Sequence, residues 1–376
     1  MDFSFTEEQQ SIRGLAREIL EREATQERLR AAERTPDWQG DAIWKQLAEA
    51  NLLGIAIPEA YGGMGMGFQE LCVLLEELGR AVMPSAAFAA LALGALPLAR
   101  FGSASQQARW LPCIASGEVV ITAALDDAGS ADLLAPATTA RRDGAGWVLD
   151  GAKRFVPHAR RAGAMLIPAR TNAGIAVLLV GTDVGHGLTV EPRTTSSGEP
   201  LFDLKLRGVR VGDDARLPAD GAAILRWLHP RALTALAAIH VGVCDRALAI
   251  TADYTRERVQ FGVPIGSFQA VQHREADAFI DLEAMRWTLW RAAVRLADGL
   301  PAEREACVAK IWAAEGGARI VNAALHLHGG IGSDVDYPIH RYFLWSKSLE
   351  LALGGASAQL AALGADIAQR GLEVTS

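Results

Sequence analysis

Apolar positions recur at helical spacing through the first third of the chain. Thr6 and Gln9 stand three apart, a capping-box spacing that opens an amphipathic run towards Glu21. Trp44, Leu47, Ala48 and Leu52 follow at the same period, and Leu71, Leu74, Leu75 and Leu78 mark a further apolar stripe. Between them lies a glycine-rich break, Tyr61-Gly62-Gly63-Met64-Gly65-Met66-Gly67. It lacks the Lys-Ser/Thr ending of a phosphate-binding P-loop and follows no Rossmann strand, so it is read as a plain loop.

The pattern then changes. Short β-rich runs, Val119–Leu125, Gly146–Phe155, Ala164–Pro168, Ile175–Val180 and Phe202–Val211, are divided by turns such as Asp143-Gly144-Ala145-Gly146. They predict a small β-barrel or sandwich. Long helical periodicity returns over Ala222–Thr255, Phe268–Ala297, Ala302–His326 and Asp336–Ala362. Four long helices with short connections predict an antiparallel bundle. The expected fold class is α+β: a helical domain over 1–118, a β-barrel domain over 119–221 and a four-helix bundle over 222–376.

Composition narrows the function classes. Half of the 376 residues are hydrophobic, enough for a large core and too many for a disordered chain. A net charge of -7 argues against nucleic-acid binding by phosphate neutralisation. The acidic opening, Met1 to Gln9, lacks a signal peptide's basic start, and the Phe88–Leu98 run is too short to span a bilayer. No membrane association and a cytoplasmic location are expected. Cys72, Cys113, Cys244 and Cys307 lie far apart, so free thiols are expected rather than a zinc site or disulfides.

Two segments carry candidate chemistry. In Arg256-Glu257-Arg258-Val259-Gln260-Phe261-Gly262, an arginine at a helix end stands beside a turn and a following helix. Such an arginine either binds a phosphate or merely ends its helix. In His326-Leu327-His328-Gly329-Gly330-Ile331-Gly332, the glycines permit close backbone approach. Histidines two apart do not share a helical face and make a poor metal pair.

Together these segments resemble the acyl-CoA dehydrogenase family, and the resemblance covers nearly the whole chain. Phe3-Ser4-Phe5-Thr6-Glu7-Glu8-Gln9 looks like the family's first helix. Leu53-Gly54-Ile55-Ala56-Ile57-Pro58-Glu59-Ala60-Tyr61-Gly62-Gly63 is similar to its "GI-x-x-PEEYGG" signature. Arg258-Val259-Gln260-Phe261-Gly262 matches "R-x-x-FG". His328-Gly329-Gly330-Ile331-Gly332 and Tyr337-Pro338-Ile339-His340-Arg341 match "HGG-x-G…YP-x-x-R". The resemblance implies FAD bound across a dimer interface and α,β-dehydrogenation of an acyl-CoA, with electron-transfer flavoprotein or another acceptor taking the electrons. It implies that Arg258, Gln260 and Phe261 contact the pyrophosphate and adenosine side in the neighbouring subunit's site. His326, Gly329 and Gly330 would line the same end, with Gln269 nearby.

The sequence departs from the family where the chemistry occurs. The reaction needs a carboxylate base in a dry site. The family's "YEG" glutamate falls on Leu353, and the alternative position on an earlier helix falls on Ala232. The flavin-facing "TEP-x-x-GSD" loop reads Leu125-Asp126-Asp127-Ala128-Gly129-Ser130-Ala131-Asp132. The strand "K-x-F/W-I-T-N" reads Lys153-Arg154-Phe155-Val156-Pro157-His158, leaving His158 as a substitute donor or a histidine without a catalytic role. Intact nucleotide motifs beside a missing base resemble the non-catalytic subunit of heteromeric acyl-CoA dehydrogenases that act on bulky, steroid-like thioesters. Such a chain would work with a homologous partner in a heterodimer or heterotetramer. Two alternatives stay open: a self-sufficient homodimeric enzyme whose base has moved to Glu350, and a flavin-free interaction protein that keeps the fold.

Overall fold

The computed structural model describes residues 4–35 and 41–371. Phe3 of the family-like opening, with Met1 and Asp2 before it, lies outside them. The described helices are α1 (Glu7–Glu23), α2 (Gln26–Glu33), α3 (Asp41–Glu49), α4 (Phe68–Arg80), α5 (Leu96–Phe101), α6 (Ala104–Ala115), α7 (Gly221–Glu257), α8 (Gln269–Ala297), α9 (Glu303–His328), α10 (Ile339–Leu351) and α11 (Ala356–Arg370). The strands are β1 (Val120–Ala123), β2 (Thr139–Asp143), β3 (Gly146–Pro157), β4 (Ala162–Thr171), β5 (Gly174–Gly181), β6 (Leu188–Arg193), β7 (Leu201–Gly212), β8 (Val259–Gln260) and β9 (Val263–Pro264).

Thr6 and Gln9 form the expected capping box: Gln9 N donates to Thr6 Oγ1 and Thr6 N to Gln9 Oε1, each at 3.2 Å. The glycine-rich break is a closed loop. Met64 N donates to Gly54 O, Gly65 N to Ile57 O and Met66 N to Ile55 O. Those amides are occupied by backbone and are not available to a phosphate, which agrees with the plain-loop reading.

Chain contacts divide the protein into two compact units. One gathers the chain up to Gln26, Cys72–Met83 and everything from Leu233 onward; the other holds Glu27–Leu71 and Pro84–Ala232. In the first, α4 and α7 cross closely. A Cβ at Gly79 would strike Ile239 O, and one at Gly242 would strike Glu76 O. The third bundle helix, α9, packs against α8, α10 and α11.

In the second unit, seven strands form one sheet in the order β1-β4-β2-β3-β7-β6, with β5 on β4. Its core includes Leu149, Ile167, Leu178, Phe202 and Leu204, all at most 1% exposed. The β3–β7 pairing runs antiparallel from Gly146↔Gly212 to Pro157↔Leu201, with an irregularity between Lys153 and Val156. That irregularity leaves Arg154 and Phe155 out of register and puts Phe155 in the left-handed region at φ 52°.

The structure corrects the reading of the chain at three places. Strands β2 and β6 were not expected; both are short and mostly polar, and charges such as Arg141, Arg142 and Asp143 mask their period. The stretch 336–362 is not one helix: Leu353 (φ 53°) and Gly354 (φ 91°) break it into α10 and α11. A π-helical turn at Phe88–Ala95 occupies the alanine-rich run.

Two helical stretches, Gly221–Glu257 and Ile339–Arg370, are long and apolar enough to cross a bilayer. The apolar window of the first is 72% buried, as in a core helix. The second is interrupted at 352–355, so neither α10 nor α11 reaches the ~20 residues a span needs. The cysteines are free. No cluster of metal-ligating side chains occurs among the described residues.

Candidate functional site

The nucleotide-end candidates gather at one end of the bundle. After α7, strands β8 and β9 make a tight hairpin, closed by Ile265 N donating to Arg258 O at 2.8 Å. Phe261 (φ 54°) and Gly262 (φ 83°) form its tip. Phe261 is 93% exposed, and Val259, Val263 and Phe268 are exposed beside it. An exposed aromatic of this size, with apolar neighbours, marks a surface meant to be covered. Arg258, Gln260 and Gln269 are exposed as well, and Arg258 forms no ion pair among the described residues.

At the end of α9, His326, Gly329 and Gly330 are exposed, and a Cβ at either glycine would meet nothing within 4 Å. An unpaired guanidinium and accessible glycine backbone suit an anionic group, so the residues present fit the nucleotide end of FAD. His328 is different. It is 3% exposed, its Nδ1 lies 2.8 Å from Ala324 O, and burial holds its pKa below the ordinary imidazole value.

The base-position turn is built on the same unit. Lys310, fully buried on α9, donates from Nζ to Leu349 O at 2.6 Å and Glu350 O at 3.0 Å. It thereby satisfies two terminal carbonyls of α10, and its positive charge suits a helix C-terminus. Burial lowers its pKa to about 8. From the other side, Gln359 Nε2 donates to Leu353 O at 3.0 Å and Gly354 O at 3.3 Å. The turn thus keeps a fixed backbone, but position 353 is leucine. Ala232 is fully buried and equally unable to accept a proton. Glu350 is tied to Lys347, with Nζ 2.7 Å from Oε2.

In the second unit, the loop that begins at Asp126 is anchored inwards. Lys153 Nζ, with no exposure, lies 2.9 Å from Asp127 Oδ2. Thr138 N donates to Asp127 Oδ2 at 3.0 Å and Gly129 N to Oδ1 at 3.2 Å. Burial alone would raise the Asp127 pKa, but Lys153 and these amides together hold it below the usual carboxylate value. Burial also depresses the Lys153 ammonium. Asp126 next to it is raised by desolvation, against the pull of Arg154 and Lys153. This loop therefore carries two adjacent acids, Asp126 and Asp127. His158 is no exposed donor: it is 3% exposed, and burial lowers its pKa to about 3. These two motifs therefore present adjacent carboxylates and a buried histidine, Asp126, Asp127 and His158.

Sequence reasoning missed the side chains that hold these features: Lys310, Gln359 and the Asp127–Lys153 pair. Lys310 reaches across 39 and 40 positions and Lys153 across 26, whereas Gln359 caps carbonyls five and six positions away; Asp127 and Lys153 stood in segments singled out for their chemistry, but their pairing was not foreseen.

Comparison with known proteins agrees with this architecture. The acyl-CoA dehydrogenase N-terminal domain matches residues 6–118, the middle domain 122–206 and the C-terminal domain 222–368. Acyl-CoA dehydrogenase FadE27 of Mycobacterium tuberculosis is 38% identical over 98% of this chain and 99% of its own. Among solved structures, a variant of the Tcur3481-Tcur3483 steroid ACAD shares 46% identity at a TM-score of 0.91, covering 98% of this chain and 99% of the other. The ChsE4-ChsE5 complex from Mycobacterium tuberculosis shares 37% identity at a TM-score of 0.93, with the same coverage. The chain belongs to the acyl-CoA dehydrogenase family.

Proposed function

We propose that this chain is the base-lacking subunit of a heteromeric acyl-CoA dehydrogenase and completes the FAD site of a homologous partner. The observation that carries the reading is the pairing of an exposed, anion-ready nucleotide end with leucine and alanine at both base positions. When bound, FAD supplies the acceptor for the hydride that leaves the β-carbon of the acyl-CoA. This chain's part is binding and orientation. Arg258 offers charge to the pyrophosphate, Gln260 and Gln269 offer amides, and Gly329 and Gly330 let the nucleotide approach the backbone. Phe261 supplies an apolar contact that excludes water. His326 stands beside the glycines. Proton removal from the α-carbon falls to the partner's carboxylate.

The relatives support a steroid-like or similarly bulky thioester as substrate, since two of the matched structures are named as a steroid ACAD and as a two-protein complex. Electron-transfer flavoprotein, or another acceptor, would reoxidise the complex, in the cytoplasm. Against a homomeric enzyme that uses Glu350 stands the Lys347–Glu350 ion pair, in which Oε2 already accepts from the Lys347 ammonium.

Co-expression with the protein of a neighbouring gene tests the proposal. Acyl-CoA dehydrogenation should appear only in the co-purified complex and survive Glu350→Gln. Turnover by this chain alone, abolished by Glu350→Gln, would instead establish the homomeric reading. A colourless complex would leave the flavin-free interaction protein.

A further inference from the structure

The seven nucleotide-end candidates sit on two separate segments, the 258–269 hairpin region and the 326–330 helix end. Among the described residues no hydrogen bond or ion pair runs directly between 258–269 and 326–333. Three aromatic rings from different elements lie where the two segments meet. Tyr254, on the last turn of α7, stacks on His328, the last residue of α9, with centroids 4.4 Å apart and planes at 22°. Tyr337, just before α10, closes the third side, 5.2 Å from His328 and 6.3 Å from Tyr254. Tyr254 Oη also donates to His328 O at 3.4 Å.

We propose that Tyr254, His328 and Tyr337 form a positioning clamp that sets Arg258 and the Gly329-Gly330 backbone at the spacing the cofactor needs. The inference rests on the proposed function and adds to it the residues that act without touching the ligand. The mechanical connections are short. Arg258 N donates to Tyr254 O at 2.8 Å, so a shift of Tyr254 carries Arg258 with it. His328 immediately precedes Gly329, whose φ of 62° turns the chain out of the helix. The Nδ1 contact with Ala324 O fixes the His328 ring, and that ring is buried while its neighbours His326, Gly329 and Gly330 are exposed. The arrangement places rigid aromatic packing directly behind an exposed binding edge. Stacked aromatic pairs contribute beyond their buried area, and rings held this way resist sliding. Preorganising two halves of a site raises affinity by removing the cost of ordering them on binding.

The test uses the co-purified complex, deflavinated and then titrated with FAD. Tyr254→Ala should weaken FAD binding roughly tenfold, the scale set by losing one aromatic pair. Tyr254→Phe keeps the stack, loses only the long hydroxyl bond, and should bind within about twofold of wild type. Circular dichroism and size-exclusion chromatography establish that each variant folds and stays in the complex. Should Tyr254→Ala fail to assemble, Tyr337→Leu, which opens only the third side, carries the same expectation of weakened FAD. Wild-type affinity in Tyr254→Ala, or in Tyr337→Leu where that variant stands in for it, overturns the clamp. So does an equal loss in Tyr254→Phe, which would assign the effect to the hydroxyl. Arg258→Ala separates the two proposals. If it loses FAD while Tyr254→Ala does not, the clamp alone fails; if it binds FAD like wild type, the proposed function fails and the clamp falls with it.

Discussion

Lys153 is an ammonium buried in the β unit with no exposure and one carboxylate partner, Asp127 Oδ2 at 2.9 Å. Removing either charge strands the other in a poorly solvated site, at a cost of about 3–5 kcal/mol. Lys153→Met should therefore destabilise the β unit by that amount. Asp127→Asn should do the same, although the asparagine carbonyl can still accept from Thr138 N or Gly129 N. The double variant leaves no isolated charge and gives up at most one amide acceptor, so it should cost only ~1–3 kcal/mol, far less than the sum of the singles. The pH dependence has a definite sign. The Asp127 pKa is lowered in the folded state, so its contribution is complete above the ordinary carboxylate value and is lost as pH falls through the lower folded value. Urea unfolding with linear extrapolation, together with amide exchange in β3, reads the effect. Single variants within 1 kcal/mol of wild type, or strictly additive costs, would refute the claim that this pair anchors the 125–130 loop.

Other expectations are simpler to state. Gly242→Ala sets a Cβ against Glu76 O at the α4–α7 crossing and should lower the melting temperature sharply, whereas Gly144→Ala meets open space and costs little beyond its φ of 59°. Lys310→Met uncaps two terminal carbonyls of α10 and should speed amide exchange at Ala352 and Gly354 while leaving the middle of α9 protected. His240, buried against Ser346 at 2.8 Å, has its pKa lowered by burial to about 3. Its contribution is complete above pH ~6.5 and lost as pH falls towards 3, by at most ~5 kcal/mol. The acid side of the stability profile should flatten in His240→Gln, and an unchanged profile would remove His240 from the account.

The sequence made the three-zone order legible because long apolar periods survive in α7, α8 and α9 and continuous apolar runs survive in β4 and β5. Strands β2 and β6 escaped because charges, Arg141, Arg142 and Asp143 in β2 and Glu191 and Arg193 in β6, hide the two-residue period. The break at Leu353 escaped because a leucine gives no sign that it will adopt a left-handed backbone; only Gly354-Gly355 hinted at it. At the candidate site, the residues on exposed edges were readable as motifs. The groups behind them were not. Lys310 and Gln359 reach the 349–354 backbone from other helices, and Tyr254 meets His328 across 74 positions of chain. The Lys310 and Tyr254 pairings exist only once the bundle has folded; Gln359 is local, and its bonds exist only once the turn at Leu353 has formed. His158 shows the converse, since a histidine in a flavin-facing motif reads as a donor until its burial is known.

The central claim is that this chain contributes the nucleotide end of a flavin site and no base. Flavin content measures it directly, by absorbance and protein quantitation of this chain purified alone, with its co-expressed partner, and with the partner and Arg258→Ala. The account predicts no bound FAD in the chain alone, FAD in the complex, and its loss in the Arg258→Ala complex. Stoichiometric FAD in the isolated chain, together with acyl-CoA dehydrogenation, would contradict it.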